Sequence, residues 1–258
     1  MNYKLSKPKR LYQEIGHQLY TELSSGRYKV GDRLPPERDI AERFSVSRAV
    51  VREALIMLEL MELIEVRKGS GVYVIKLPSA SSSNDTIEKD LDEEDAGPFE
   101  MMQARQLIES YIAEFAATQV TKNDIRRMRE ALDMERKNID LEATDYDGDK
   151  MFHLAIAEAT QNSVLVDVLL NLWERRERSP MWKQLHSHIT DQTYRKKWLV
   201  DHDNILTAIQ RRNPNDARQA MWQHLENVKN TLMELSEHGE PDFDGYLFID
   251  NPVQIKAS

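Results

Sequence analysis

Hydrophobic residues recur every three to four positions along most of the chain, which is the period of an amphipathic helix. Leu11, Ile15, Leu19 and Leu23 share one face over residues 11–25, and Ser24-Ser25-Gly26 ends that helix. A short helix is expected from Pro36 to Arg43, because proline gives up no hydrogen bond in a first turn. Phe44-Ser45-Val46 makes a tight connection, and Ser47 is a good N-cap for a helix from Arg48 to Met61. The period then changes. Leu63, Ile64 and Val66 predict a short strand, Lys68-Gly69-Ser70-Gly71 a turn, and Val72 to Ile75 a returning strand. From Phe99 the helical period returns and holds over residues 99–120, 123–139, 150–160, 163–178, 193–212 and 215–236. Ser179-Pro180, Asn213-Pro214 and the turn-rich stretch ATDYDGD (143–149) interrupt it.

Two short helices joined by a few residues and followed by a basic-tipped hairpin have the layout of a winged helix-turn-helix. The fold class is therefore expected to be mainly α. Residues 9–77 form an N-terminal winged helix-turn-helix of three helices plus a β-hairpin wing. Residues 99–238 form a C-terminal all-α antiparallel bundle of six or seven helices. Between them, residues 78–98 (PSASSSNDTIEKDLDEEDAGP) are Ser-rich, then acidic, and read as a flexible linker. Residues 239–258 form a tail. Its Phe243, Tyr246, Leu247 and Phe248 are too clustered for a free end, so it is expected to dock on the bundle or on a partner subunit.

Composition narrows the chemistry. A chain of 258 residues with 40% hydrophobic content can bury cores, which excludes bulk disorder. The absence of cysteine excludes disulfides, thiolate nucleophiles and Cys-ligated zinc or iron–sulfur centres. No apolar run approaches the roughly 20 residues of a membrane helix, and no apolar segment follows the basic start MNYKLSKPKR. A cytoplasmic protein with no membrane association is expected. The net charge of −9 hides a division. Residues 1–78 hold 14 basic against 10 acidic side chains, and residues 79–258 hold 21 against 34. Only the first part suits a polyanion. Arg48 and Arg52 are four apart and project from one helix face, and an arginine fork can bond guanine O6 and N7 together. Lys68 and the wing glycines could approach a phosphate or the minor groove.

In the bundle, Asp149 and His153 are also four apart on one face, and His202 and His224 sit on later helices. Such a nitrogen and oxygen set suits zinc, nickel, manganese or iron(II) and needs no cysteine. By spacing alone this is a weak signal, because a histidine on an amphipathic helix is more often a packed or solvent-edge residue than a ligand. His186 and His188, two apart, point to different sides and make a poor pair.

The strings LYQEIGHQL and RYKVGDRLPPERDIAERFSVSRAVVREALIMLELMELIEVRKGSGVYV resemble the winged-helix domain of the GntR superfamily of bacterial transcription regulators. The resemblance implies DNA contacts by Arg38, Ser47, Arg48, Ala49, Arg52, Lys68 and Gly69. Arg48 would read a base, Arg38 and Arg52 would chiefly hold phosphate, and Ala49 would touch a thymine methyl where relatives often carry Thr. The strings RQLIESYIAEFAATQV, DKMFHLAIAEATQNSVLV, DHDNILTAI and DARQAMWQHLENV resemble the all-helical effector domain of the FadR-type branch. Its metal-binding subgroup implies a divalent ion, zinc before nickel, manganese or iron, on Asp149, His153, His202 and His224. It also implies Arg105 beside a carboxylate effector, although Arg105 could equally pair with Glu109 four residues on. The strings RSPMWKQLHSHI, AMWQHLENVK and FDGYLF resemble the hexuronate-utilisation repressors within that branch.

The expected protein is a ligand-responsive DNA-binding transcriptional regulator and not an enzyme. It would repress glucuronate and galacturonate catabolism genes from a palindromic operator on the bacterial nucleoid, bind there as a homodimer, and be released by a sugar-acid effector. Two rivals stand beside it. One is a metal-dependent enzyme fused to a DNA-binding module, for which Glu158 sits one residue off the i+4 position from His153. The other is a regulator that answers to another organic acid without metal.

Overall fold

The computed structural model describes residues 10–78, 96–141, 146–189 and 193–236. They fall into two compact units, 10–78 and 96–236. Residues 79–95 of the expected linker and all of the expected tail lie outside the described residues.

The first unit contains α1 (Leu11–Ser24), α2 (Glu37–Phe44), α3 (Arg48–Leu60), β1 (Ile64–Arg67) and β2 (Gly71–Val74). α1 and α2 both pack on α3, which supplies most of the core through Val51, Ala54, Met57 and Leu58. α2 closes on Ser45 in the left-handed region, at φ 55°, and α3 opens three residues later. Ser47 caps it by accepting from the Val50 N–H at 3.4 Å. The strands pair antiparallel, with Ile64 opposite Val74 and Val66 opposite Val72. The wing turn needs φ of 70° at Gly69 and 111° at Gly71, and a side chain at Gly71 would also strike Arg33.

The second unit is an all-helical bundle: α4 (Pro98–Gln119), α5 (Lys122–Asp140), α6 (Asp147–Ala159), α7 (Ser163–Arg178), α8 (Pro180–Ser187), α9 (Tyr194–Gln210) and α10 (Pro214–Leu235). α4 packs along α10 and across α6, α5 packs on α6 and α9, and α9 packs on α10. Ile112, Met128, Phe152, Ile205, Leu225 and Leu232 fill the space between them. No described helix is long and apolar enough to cross a membrane.

Two departures from the sequence expectation shape the site. α8 is a helix where only a break was read. Ser179 caps it by accepting from Trp182 N at 3.0 Å, Pro180 opens it, and Met181, Trp182 and Leu185 are buried. α6 starts at Asp147 and not at Lys150, with Asp147 and Asp149 in its first turn, where the helix dipole favours carboxylates. Gly148 lies between them against α5: a Cβ there would stand 2.5 Å from Glu135 N and 2.6 Å from its Cα. Backbone cannot step aside as a side chain can. Gly148→Ala should therefore cost about 1–3 kcal/mol and lower the melting temperature by several degrees; an unchanged melt would show that α5 and α6 have room to part.

Candidate functional site

In the first unit, Arg38, Ser47, Lys68 and Gly69 are exposed, and Arg48 is half-buried at the start of α3. Arg48 also stands 3.9 Å from Glu37 Oε2. Ala49 and Arg52 are placed differently. Ala49 is buried. Arg52 is 1% exposed, and its Nε and Nη2 donate to Glu37 Oε1 and Oε2 at 2.8 and 2.5 Å. A guanidinium held this way ties α3 to α2 and turns little surface toward a phosphate. The residues are well spaced for a surface contact, but the fork is already filled by a carboxylate fifteen residues earlier.

In the second unit, α6 carries Asp149 and His153 one turn apart, α9 carries His202 and α10 carries His224. All four are buried, and each offers one ligand atom, these atoms lying within 4.8 Å of one another. His202 Nε2 is 3.1 Å from His224 Nε2. Asp149 Oδ1 is 3.4 Å from His153 Nε2 and 3.5 Å from His202 Nε2. An ion bound to nitrogen at about 2.0–2.1 Å in tetrahedral geometry would separate its ligand atoms by about 3.3 Å, so these spacings fit.

The outer nitrogens explain why the inner ones converge. His153 Nδ1 donates to Glu109 Oε2, His202 Nδ1 donates to Glu135 Oε2 at 2.9 Å, and His224 Nδ1 faces Asp201 Oδ2 at 3.5 Å. A carboxylate accepts only, so the His153 and His202 rings are steered to carry a proton on Nδ1 and to turn Nε2 inward, whereas His224 Nδ1 makes no hydrogen bond among the described residues. His153 Nε2 is buried with no hydrogen-bond partner. At 3.1 Å, His202 Nε2 and His224 Nε2 need a proton or a metal ion between them. The donor set, its tautomers and its spacing thus fit a divalent cation. Glu135 and Asp201 were not singled out from the sequence, and Glu109 entered there only as an i+4 partner of Arg105, not as the residue behind His153. Glu135 meets His202 across 67 residues, with no local signal.

The comparisons with known proteins fall on the same two units. The profile described as "Bacterial regulatory proteins, gntR family" matches residues 11–74, and that of the FCD domain matches residues 100–227. The Uxu operon regulator of Haemophilus influenzae is 52% identical over 95% of this chain and 91% of its own length. The chain belongs to the gntR family. The Uxu operon transcriptional regulator of Escherichia coli K12 is 51% identical over 95% of each chain, and the Exu regulon transcriptional regulator of the same organism is 45% identical over 97% of this chain and 95% of its own. The gntR-family protein described here is accordingly a DNA-binding transcription regulator with a helical FCD domain.

Beside the four ligands, this gntR-family regulator has a small pocket of about 10 Å³, lined by Arg105, Asp149, Arg176, Trp182, Trp198, His224 and Val228. Arg105 is buried, and its Nε donates to Glu109 Oε1 at 2.5 Å. The intrahelical pair left open by spacing is therefore formed, and Arg105 also reaches the pocket. Burial works against the Glu109 charge, but Arg105 and His153 outweigh it and bring its carboxyl down to about 2. Burial also opposes the His153 charge, and Glu109 and Asp149 overcome it, pushing that imidazole up to about 9. His224 goes the other way, to about 3, through burial and the neighbouring His202. For Asp149, burial is outweighed by His153, His202 and Arg176, which hold it well below the usual carboxylate range.

Proposed function

We propose that this gntR-family regulator controls hexuronate catabolism genes as a repressor, releasing a palindromic operator when a sugar acid binds beside a divalent ion in the helical unit. The observation that carries this reading is the four-residue cluster, each histidine backed by a carboxylate, opening on a pocket with two arginines. The resemblance to the hexuronate-utilisation repressors suggests the substrate class, and the Uxu and Exu regulators among the relatives support that reading. Asp149, His153, His202 and His224 would hold the ion, zinc first by ligand type, with nickel, manganese or iron(II) as alternatives. When bound, it supplies a Lewis-acidic charge that takes carboxylate and hydroxyl oxygens. The chain's own residues do the rest. Glu109, Glu135 and Asp201 orient the imidazoles, Arg105 offsets the Glu109 charge, and the tryptophans exclude water from the pocket. The site is read as a receptor and not as a reaction centre, and a search for sugar-acid turnover tests that point. The protein acts in the bacterial cytoplasm, at its operator.

At the DNA, Arg48 is proposed to read a base, with Arg38, Ser47, Lys68 and Gly69 on the backbone or the groove edge. A homodimer would place two such units about one helical turn apart. Support for self-association comes from Leu107, Tyr111 and Phe115, an exposed apolar row on one face of α4. Footprinting on DNA upstream of hexuronate catabolism genes is expected to protect two inverted half-sites, and protection of a single half-site would contradict the dimer. Arg48→Ala should weaken operator binding by about 1–3 kcal/mol and relax one base position. An equal loss on every sequence would move Arg48 to phosphate.

A further inference from the structure

The two pocket arginines are not equivalent. Arg105 is engaged through Glu109, which in turn accepts from His153 Nδ1, so its charge steadies a carboxylate that orients a ligand. Arg176 is 6% exposed and layered among rings, its guanidinium carbon 4.6 Å from the centres of Trp173 and Trp182 and 5.1 Å from that of Tyr146. Stacking fixes the plane of the guanidinium and leaves its N–H edge for an acceptor. Among the described residues that edge has no hydrogen bond, and the nearest carboxylate oxygen, Asp149 Oδ2, is 3.7 Å away. Burying a guanidinium without acceptors is costly. A planar fork kept at that cost is complementary to a planar oxyanion.

Position adds to chemistry. Asp149 turns Oδ1 toward His153 and His202 and Oδ2 toward Arg176, so an anion on Arg176 lies next to the ligand set. Trp182 and Trp198 line the same pocket, and the buried indole N–H of Trp198 has no acceptor among the described residues. Flat apolar walls with a spare donor suit a polyhydroxylated carbon chain.

We propose that Arg176 receives the effector's carboxylate, that Trp182 and Trp198 take its carbon face and a hydroxyl, and that Arg105 is a positioning residue acting through Glu109. The assignment rests on the sugar-acid reading above and selects for acids over their neutral esters and lactones.

The test is calorimetric titration of metal-loaded full-length protein with D-glucuronate, D-galacturonate, D-fructuronate and D-tagaturonate, and with the methyl esters of the first two. An acid that binds the wild type should bind Arg176→Met on the order of 10–100-fold more weakly. Arg176→Lys, a point charge without the fork, should fall between them. The esters should bind the wild type weakly and lose nothing further in Arg176→Met. Arg105→Lys should weaken metal binding and lose acid affinity only as far as metal is lost, recovering with excess metal. A thermal melt and metal content establish that each variant is folded and loaded. Acid affinity unchanged in both Arg176 variants, or lost at saturating metal only in the Arg105 variant, overturns the assignment and leaves the sugar-acid reading standing. Failure of every acid to bind the metal-loaded wild type overturns the reading and the assignment together.

Discussion

Replacing His153 with alanine is expected to empty the cluster of metal and to abolish the response to effector, while the effector-free protein still binds its operator. His153 supplies one of the four inward atoms, and its loss also strands Glu109 in the interior beside Arg105 alone. Even outer partners of metal ligands are worth about 10–100-fold in affinity, so loss of a ligand should exceed the upper end of that range. His186→Ala is the matched control. His186 stacks on Trp182 and its Nδ1 donates to the Trp182 carbonyl, outside the four-residue set. Elemental analysis after dialysis reads both variants. Full occupancy in His153→Ala would reject the four-ligand site, and loss of metal in His186→Ala would show that the wrong histidines are paired.

The second large effect is expected far from that site. Arg52→Ala should destabilise the N-terminal unit by about 3–5 kcal/mol, because it leaves Glu37 charged, largely buried and without its main partner. Replacing both residues by apolar ones of similar volume, Arg52→Met with Glu37→Leu, should recover much of that loss. Denaturant unfolding followed by circular dichroism measures it. The alternative makes a different prediction. An Arg52 acting on phosphate would leave stability untouched and reduce the salt dependence of DNA binding by about one unit of slope.

The contrast between Arg48 and Arg52 shows where sequence reasoning stops. Both were visible as a four-spaced pair on a capped helix, and Ser47, the helix bounds and the wing turn were equally legible, because each depends on neighbours a few residues away. The burial of Arg52 depends on Glu37, a residue of another helix, and nothing in local spacing announces it. The metal ligands divide in the same way. Asp149 and His153 share a helical turn and could be found together. The convergence of His202 and His224 needed a family resemblance to suggest it, because it depends on how α6, α9 and α10 pack. The carboxylates behind them, and Arg176 within its cage of rings, became visible only once the helices were assembled. Gly148 is a further case: it reads as part of a turn, yet it serves as a contact point that lets α6 approach the backbone of α5. α8 was missed because eight residues with three buried positions carry too short a period to separate from a loop.

The most direct measurement is release of a fluorescent fragment of the protein's own upstream DNA during titration with D-glucuronate, D-galacturonate, D-fructuronate or D-tagaturonate, with and without chelator. Release by at least one acid, lost on chelation and restored by added zinc or another divalent ion, is the expected result. Tight DNA binding that none of the four acids disturbs, in protein shown to carry its metal, would contradict a hexuronate-responsive repressor.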